Sequence, residues 1–239
     1  MIYISSDWHG VAPEKIKALL DAAGFGKGDH LYVIGDVIDR GKHGIELLKY
    51  IMREPNIELI LGNHEAMMLS CSFLFDEVTD DSVRDFNALK MRSLATWQYN
   101  GAEPTINALA KESHAMRKAI MDYLYDAPMW ENVDVNGQKY LLVHGGLGGY
   151  SEGRAIEDYS ESELLWSRPD FSAVYSRDFI TVVGHTPTLI LSKAYKNRII
   201  KTSTWWDIDT GAACGCAPML LCLDTLREYY LDGDVVICK

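Results

Sequence analysis

The first 65 residues constrain the fold more than any other stretch, because short unbroken apolar runs alternate there with helical periodicity. Ile2-Tyr3-Ile4, Leu31-Tyr32-Val33-Ile34 and Ile57 to Leu61 read as strands, whereas Pro13 to Ala23 and Gly44 to Met52 read as amphipathic helices. In the first helix, Ile16, Leu19 and Leu20 fall on one face. Strands without polar alternation are those buried on both faces, and a βαβαβ order joins its strands in parallel. The expectation is therefore an α/β fold in which helices cover a parallel sheet.

Residues 66–127 change character. Helix formers, methionines and charges dominate, which predicts three or four helices with breaks near Thr79-Asp80-Asp81 and around Asn100-Gly101 to Pro104. Strand signals return at Val133-Asp134-Val135, an Asn136-Gly137 turn and Tyr140 to Val143, the pattern of a β-hairpin. Further strands are predicted at Phe179 to Val183, Arg198 to Lys201, Trp205 to Asp209, Met219 to Leu223 and Arg227 to Leu231. There Asp232-Gly233 turns the chain into Val235-Val236-Ile237. With no repeat, low-complexity tract or linker, the reading is one mixed α/β domain over 1–239, with a mainly helical insert at about 66–127.

The formal net charge is -11 and no Lys/Arg cluster occurs, so a general nucleic-acid reader is excluded, although a terminal phosphate on a nucleic acid remains a conceivable substrate. No signal peptide or membrane-length apolar run is present, which leads to the expectation of a cytoplasmic protein with no membrane partner. The five cysteines are expected to be reduced. Cys214 and Cys216 form a lone CxC in a glycine-rich segment and are read as small buried thiols rather than zinc ligands, which need four donors.

Five segments carry the chemistry, each just after a predicted strand: Asp7-Trp8-His9-Gly10, Gly35-Asp36-Val37-Ile38-Asp39-Arg40-Gly41, Gly62-Asn63-His64-Glu65, His144-Gly145-Gly146 and Gly184-His185-Thr186. Ligands in open α/β sheets gather beyond the carboxyl ends of strands, so these segments are expected to converge. Carboxylates and an amide oxygen suit hard cations, and imidazoles add affinity for manganese, iron or zinc. Two divalent ions about 3.5–4 Å apart, bridged by one carboxylate, would act together on a phosphate and turn a bound water into hydroxide near neutral pH. Singly, Asp7 or Asn63 would be a turn residue, His144 or His185 a structural histidine, and Arg168 a surface ion pair. Four of the seven histidines nevertheless lie in these segments, and His30, His43 and His114 are assigned no function.

In order and spacing the segments resemble the PPP-type serine/threonine phosphatases of the calcineurin-like metallophosphoesterase superfamily, in their compact bacterial and phage form. The likeness runs from Ile2 to about Gly211. It takes in Trp97, Asn100-Gly101, Thr105, Leu164-Leu165-Trp166-Ser167-Arg168 and Asp209-Thr210-Gly211-Ala212. It implies a central β-sandwich flanked by helices, with the metals at one edge. It also implies that Asp7 and His9 hold one metal, that Asp36 bridges, and that Asn63, His144 and His185 hold the second. His64 would be the general acid, held and charged by Asp39, and Arg40 and Arg168 would grip the phosphate. The reaction implied is in-line attack by a metal-activated hydroxide, and the two divalent ions are expected to be manganese, with iron or zinc as the alternatives. Ser6 and Gly145 depart from the family pattern, where glycine and alanine are usual, and both are small.

No cysteine has an arginine six positions on, which argues against a cysteine-nucleophile phosphatase. A non-catalytic scaffold would be expected to have lost a ligand or the histidine acid, and here all are present. The substrate expected is a phosphoprotein or other phosphomonoester. The alternative is a dinucleoside polyphosphate, nucleotide or RNA end, cleaved at the same site. Asp39 weighs toward the phosphoprotein, since the diadenosine tetraphosphatase branch usually lacks that acidic residue.

Overall fold

The computed structural model describes residues 1–75, 87–233 and 235–239. The expected βαβαβ unit forms: β1 (Ile2–Ser5), α1 (Pro13–Ala23), β2 (His30–Ile34), α2 (Gly44–Ile51) and β3 (Ile57–Ile60), with β1, β2 and β3 parallel. Pro13 starts α1 where its missing N–H costs nothing, and Gly24 ends it in the left-handed conformation. Four helices follow among the described residues: α3 (Asn63–Leu69), α4 (Ala88–Tyr99), α5 (Glu103–Leu109) and α6 (His114–Asp126). The break predicted at Asn100 to Pro104 falls between α4 and α5, whereas the one at Thr79-Asp80-Asp81 lies outside the described residues.

The hairpin predicted around Asn136-Gly137 joins β4 (Trp130–Val135) to β5 (Gln138–Val143). The chain continues through α7 (Glu161–Leu165), β6 (Ile180–Val183), α8 (Thr188–Leu191), β7 (Ile200–Lys201), β8 (Trp205–Asp207), β9 (Leu220–Cys222), β10 (Glu228–Asp232) and β11 (Val235–Cys238). β6 is one residue shorter than predicted, and β7, β8 and β9 are each two residues shorter. β8 stops at Asp207 because the next turn is taken over by Asp209, whose N–H donates to Asp207 Oδ1 while its carbonyl accepts from Thr188 N. β7 starts only at Ile200 because the Arg198 amide is turned back to Tyr195 O.

The strands make two sheets. One runs β11-β10-β9-β1-β2-β3 and the other β4-β5-β6-β8-β7, with β5, β6 and β8 parallel. Side chains of a strand alternate between faces, so each strand feeds two cores. Ile4, Ile34, Ile60, Leu142, Val182 and Trp206 meet between the sheets, while Tyr3, Leu31, Val33 and Leu59 face the helices on the far side of the first sheet. Leu141, Val143, Val183 and Trp205 face outward from the second sheet against Leu164 and Leu165. This mixed α/β sandwich flanked by helices is the expected fold. No helix among the described residues is long and apolar enough to cross a membrane.

All five cysteines are free, Cys71 and Cys222 buried. The expectation that Cys214 and Cys216 are buried is corrected: Cys214 is exposed and Cys216 half-buried. Gly211 and Gly215, both left-handed, throw the intervening turn out onto the surface.

Leu48 on α2 is fully buried against the helix-side core. Leu48→Ala is expected to lower the unfolding free energy by about 2–5 kcal/mol, the cost of lost transfer energy plus a cavity. Urea denaturation reads this directly, and a loss below about 1 kcal/mol would mean that α2 is not anchored through this residue.

Candidate metal centre

All six parallel strands release their chains at one edge of the sandwich, and the five motif segments meet there. Their backbones are strained. Of nine non-glycine residues at positive φ among the described residues, six are Asp7, His9, Asp36, Asp39, Arg40 and His185, at φ between 43° and 68°. Such conformations cost about 1–3 kcal/mol each and persist only when the surroundings over-determine them. Asp7 N is tied to Gly35 O, His9 N to Asp36 O and Gly10 N to Val37 O, so the loops after β1 and β2 run locked together. At Gly41 a Cβ would collide with the backbone of His9 and Gly10, which is why only glycine fits where the loops cross.

Glu65, which has no exposed surface, organises the second and third loops. Its carboxylate accepts four backbone N–H groups, from Asp36 (2.8 Å), Val37 (2.9 Å), Ile38 (3.3 Å) and Gly62 (3.1 Å). Those bonds turn Asp36 into the crevice. The Asp36 side chain in turn accepts the His64 amide at 3.0 Å, which locks the start of α3 against it.

Asp36 stands at the centre. Its Oδ2 lies 3.6 Å from His9 Nε2 and 3.8 Å from His64 Nε2, while its Oδ1 lies 3.3 Å from His144 Nε2. Two clusters of donor atoms thus share one carboxylate: His9, Asp36 and His64 on one side, Asp36, His144 and His185 on the other. Asn63 Oδ1 joins the second at 2.9 Å from His144 Nε2. Asp7 stands at the margin of the first, with Oδ1 3.9 Å from His9 Nε2 and its carboxylate also accepting the His185 amide.

The donors are turned inward by groups behind them. His9 and His144 direct Nδ1 at the carbonyls of Ile38 (3.2 Å) and Ile34 (2.9 Å), so that Nε2 faces the crevice. His185 Nε2 is buried with no hydrogen-bond partner. Burial pushes His9 down to about 3 and His185 to about 2, which keeps both imidazoles neutral and their lone pairs free. Burial also drives Asp7 well above the usual carboxylate range, with Asp209 adding repulsion, and lifts Asp209 to about 7. Asp207 is raised in the same way by burial and then by Asp209, and its Oδ2 has no partner. Burial works against the charged forms of Asp36 and His144 too, but each outweighs it for the other. Asp36 is held well below the usual range and His144 is carried up to about 10. Four buried carboxylates in one crevice, facing inward-turned imidazoles and an orphaned ring nitrogen, fit divalent cations.

Beside the clusters, His64 Nδ1 donates to Asp39 Oδ2 at 2.6 Å, which sets the tautomer. Burial opposes protonation of His64, yet the carboxylates of Asp36 and Asp39 prevail and raise it above its ordinary value. Asp39 is itself fixed, since its Oδ2 accepts the Trp97 indole N–H at 2.8 Å and its amide donates to Thr105 Oγ1 at 2.9 Å. Arg40 brings NH2 to 3.2 Å from His64 Nε2. Arg168 lies on the rim, exposed, donating to Thr186 Oγ1 at 3.1 Å.

Every site residue expected from the sequence is therefore brought to one crevice. Glu65 and Asp207 were missed. Glu65 stood inside a motif that already pointed to the site, whereas a lone Asp at the end of β8 gives no signal. Trp97 and Thr105 were noted as part of a pattern, but only the folded contacts give them a task.

A crevice of this kind on a two-sheet α/β sandwich defines a candidate dinuclear phosphoesterase centre. Residues 1–212 match the calcineurin-like phosphoesterase family, and the chain belongs to that family. Its curated relatives include the symmetrical bis(5'-nucleosyl)-tetraphosphatase of Chromobacterium violaceum, 28% identical over 149 residues, a match covering 61% of this chain and 43% of that enzyme. The asymmetrical bis(5'-nucleosyl)-tetraphosphatase PrpE of Halalkalibacterium halodurans is 26% identical over 244 residues, covering 90% of this chain and 86% of the relative. A solved structure of a candidate diadenosine tetraphosphatase superposes with a TM-score of 0.62 at 16% identity, covering 100% of this chain and 92% of that one, a likeness of fold. The match to the first of these spans less than half of the relative's length.

Glu65→Gln places an amide NH2 against two of the four backbone donors and leaves them without an acceptor. The variant is expected to lose about 3 kcal/mol of stability, judged by bonds to a charged acceptor, and to bind manganese more weakly in calorimetry. Unchanged stability and metal affinity would remove Glu65 from its organising role.

Proposed function

We propose that the protein hydrolyses a dinucleoside polyphosphate at this centre. The observation that carries the chemistry is the single buried Asp36 carboxylate, whose two oxygens face two separate groups of imidazoles. Asp7, His9 and Asp36 would hold one divalent cation, and Asp36, Asn63, His144 and His185 the other, the mixed oxygen and nitrogen donors suiting manganese, iron or zinc. Bound there, two such cations supply Lewis acidity toward phosphoryl oxygens and lower the pKa of water. Arg40 and Arg168 flank the crevice, where planar forks suit phosphate oxygens. His64 delivers a proton to the departing oxygen, and Asp39 keeps its Nδ1–H engaged so that Nε2 faces the reaction. Water attacks one phosphorus, the P–O–P bridge breaks, and two mononucleotides separate.

The substrate assignment rests on the curated relatives, whose names are tetraphosphatases, and it reverses the weight that the sequence placed on Asp39. Asp39 is completely buried and engaged with His64 and Trp97, so it reports how His64 is held and meets no substrate. A phosphoprotein remains the second reading, favoured by the Asp39–His64 pair itself: a proton held this firmly is worth most to an alcohol leaving group. A nucleotide phosphate is the easier leaving group of the two.

With the manganese-loaded protein, metal-dependent phosphate release or nucleotide formation is expected to be faster on diadenosine tetraphosphate than on a phosphoserine peptide. Preference for the peptide would overturn the substrate assignment and keep the site. His64→Asn is expected to lower turnover of the peptide by about 10²–10⁴-fold, the usual worth of a general acid, and to lower that of the dinucleotide less. Equal losses would take His64 out of the acid role.

A further inference from the structure

Next to the metal centre a cleft opens between α3, α4 and α7. It has a volume of about 270 Å3 and continues into a neighbouring cavity of about 400 Å3 that shares Ser70 and Glu161. The first is close to the lower end of small-ligand sites, roughly 300–1,000 Å3. One ring contact and two adjacencies along the chain join it to the reacting end. The Trp166 ring at its mouth stands edge-on to His185 with centroids 6.0 Å apart. Trp166 precedes Arg168 by two residues. On the opposite wall, Thr96 adjoins Trp97, which holds Asp39.

The lining is chemically selective. Trp166 is 39% exposed, although such a ring would gain by complete burial. Ser70, Ser93 and Thr96 offer hydroxyls, while Arg92 and Glu161 bring one charge of each sign. Among the described residues Arg92 pairs with no carboxylate. One cation against one anion cannot hold a polyphosphate, whose partners Arg40 and Arg168 stand at the metal side. A planar, uncharged group with donors and acceptors on its edge is what this surface fits.

Building on the function proposed above, we infer that this cleft is the subsite for one nucleobase of the dinucleotide. The base stacks on Trp166, and its edge meets the Ser/Thr hydroxyls, Arg92 and Glu161. Stacking of a base on an aromatic side chain is tolerant of sequence and changes affinity by about tenfold.

The test compares diadenosine tetraphosphate with inorganic tripolyphosphate, which has the same anhydride and no base, on the manganese-loaded protein. Trp166→Ala is expected to raise KM for the dinucleotide by about tenfold more than for tripolyphosphate, and Trp166→Phe to recover most of that difference. Ser93→Phe fills the cleft from the opposite wall and gives the same selective loss, independently of how the indole supports its neighbours. Losses equal on both substrates, or none on the dinucleotide in either variant, overturn the subsite while the dinucleotide reading stands. If the wild-type protein cleaves the phosphoserine peptide and leaves the dinucleotide intact, the reading itself falls and the subsite with it.

Discussion

The structure is organised around carboxyl groups buried where water cannot reach them. Asp7, Asp36, Asp207 and Asp209 are each almost fully enclosed at one edge of the sandwich, and a carboxylate taken out of water needs a charge or hydrogen bonds in exchange. Backbone amides answer part of the demand: His185 N for Asp7, His64 N for Asp36, Asp209 N for Asp207 and Gly211 N for Asp209. What they leave is answered by histidine protons or by divalent cations. Donors pre-aimed by carbonyls behind them make cations the better answer, because ligand orientation has already been secured by folding.

That arrangement exacts strain, and the strain explains the loop sequences. Five residues in the loops after β1 and β2, and His185 after β6, adopt left-handed backbone conformations that side chains disfavour. Aspartate is among the residues that tolerate this conformation, so Asp7, Asp36 and Asp39 suit both the geometry and the chemistry. Glu65 then holds the β2 loop in place from behind. Its hydrogen bonds from the three amides of Asp36, Val37 and Ile38 do for that loop what a sheet ladder does for a strand. The two sheets are stitched by the same residues, with His144 of the second reaching Ile34 of the first and the His185 amide reaching Asp7. The site is therefore also a joint between the sheets.

Much of this was legible because the site is built at strand ends. A strand is recognisable from its unbroken apolar run, and a chemistry-bearing residue just beyond it has a known destination. Asp36, Asn63, His64, His144 and His185 could all be placed on that basis. Asp207 could not, because an aspartate ending β8 has the same sequence appearance as a surface turn residue; only packing buries it. Cys214 and Cys216 misled for the converse reason, since an apolar residue type says nothing about a turn that two left-handed glycines push outward. Asp39 was found in the right place, but its task in the fold was not legible. Its presence was weighed as a marker of substrate, yet its contacts are with His64, Trp97 and Thr105.

This last point bears on where specificity can reside in such a fold. The candidate metal ligands and their supports are buried, and on the proposed reading they would face only the phosphoryl group, which is common to every candidate substrate. Arg40 and Arg168, both exposed at the crevice, would on the proposed reading grip phosphate as well, and phosphate alone cannot tell a nucleotide from a peptide. Discrimination must come from surface that the rest of the substrate reaches. Among the described residues, the surface that adjoins the centre is contributed by α4 and by the segment that carries Trp166. α4 is exposed along much of its length, with only Trp97 buried, and that one residue is the one tied to Asp39. The helix is thus anchored to the chemistry at a single point, Trp97, while most of its remaining surface is open to whatever the rest of a substrate presents, so the same buried crevice puts no limit of its own on the group attached to the phosphate.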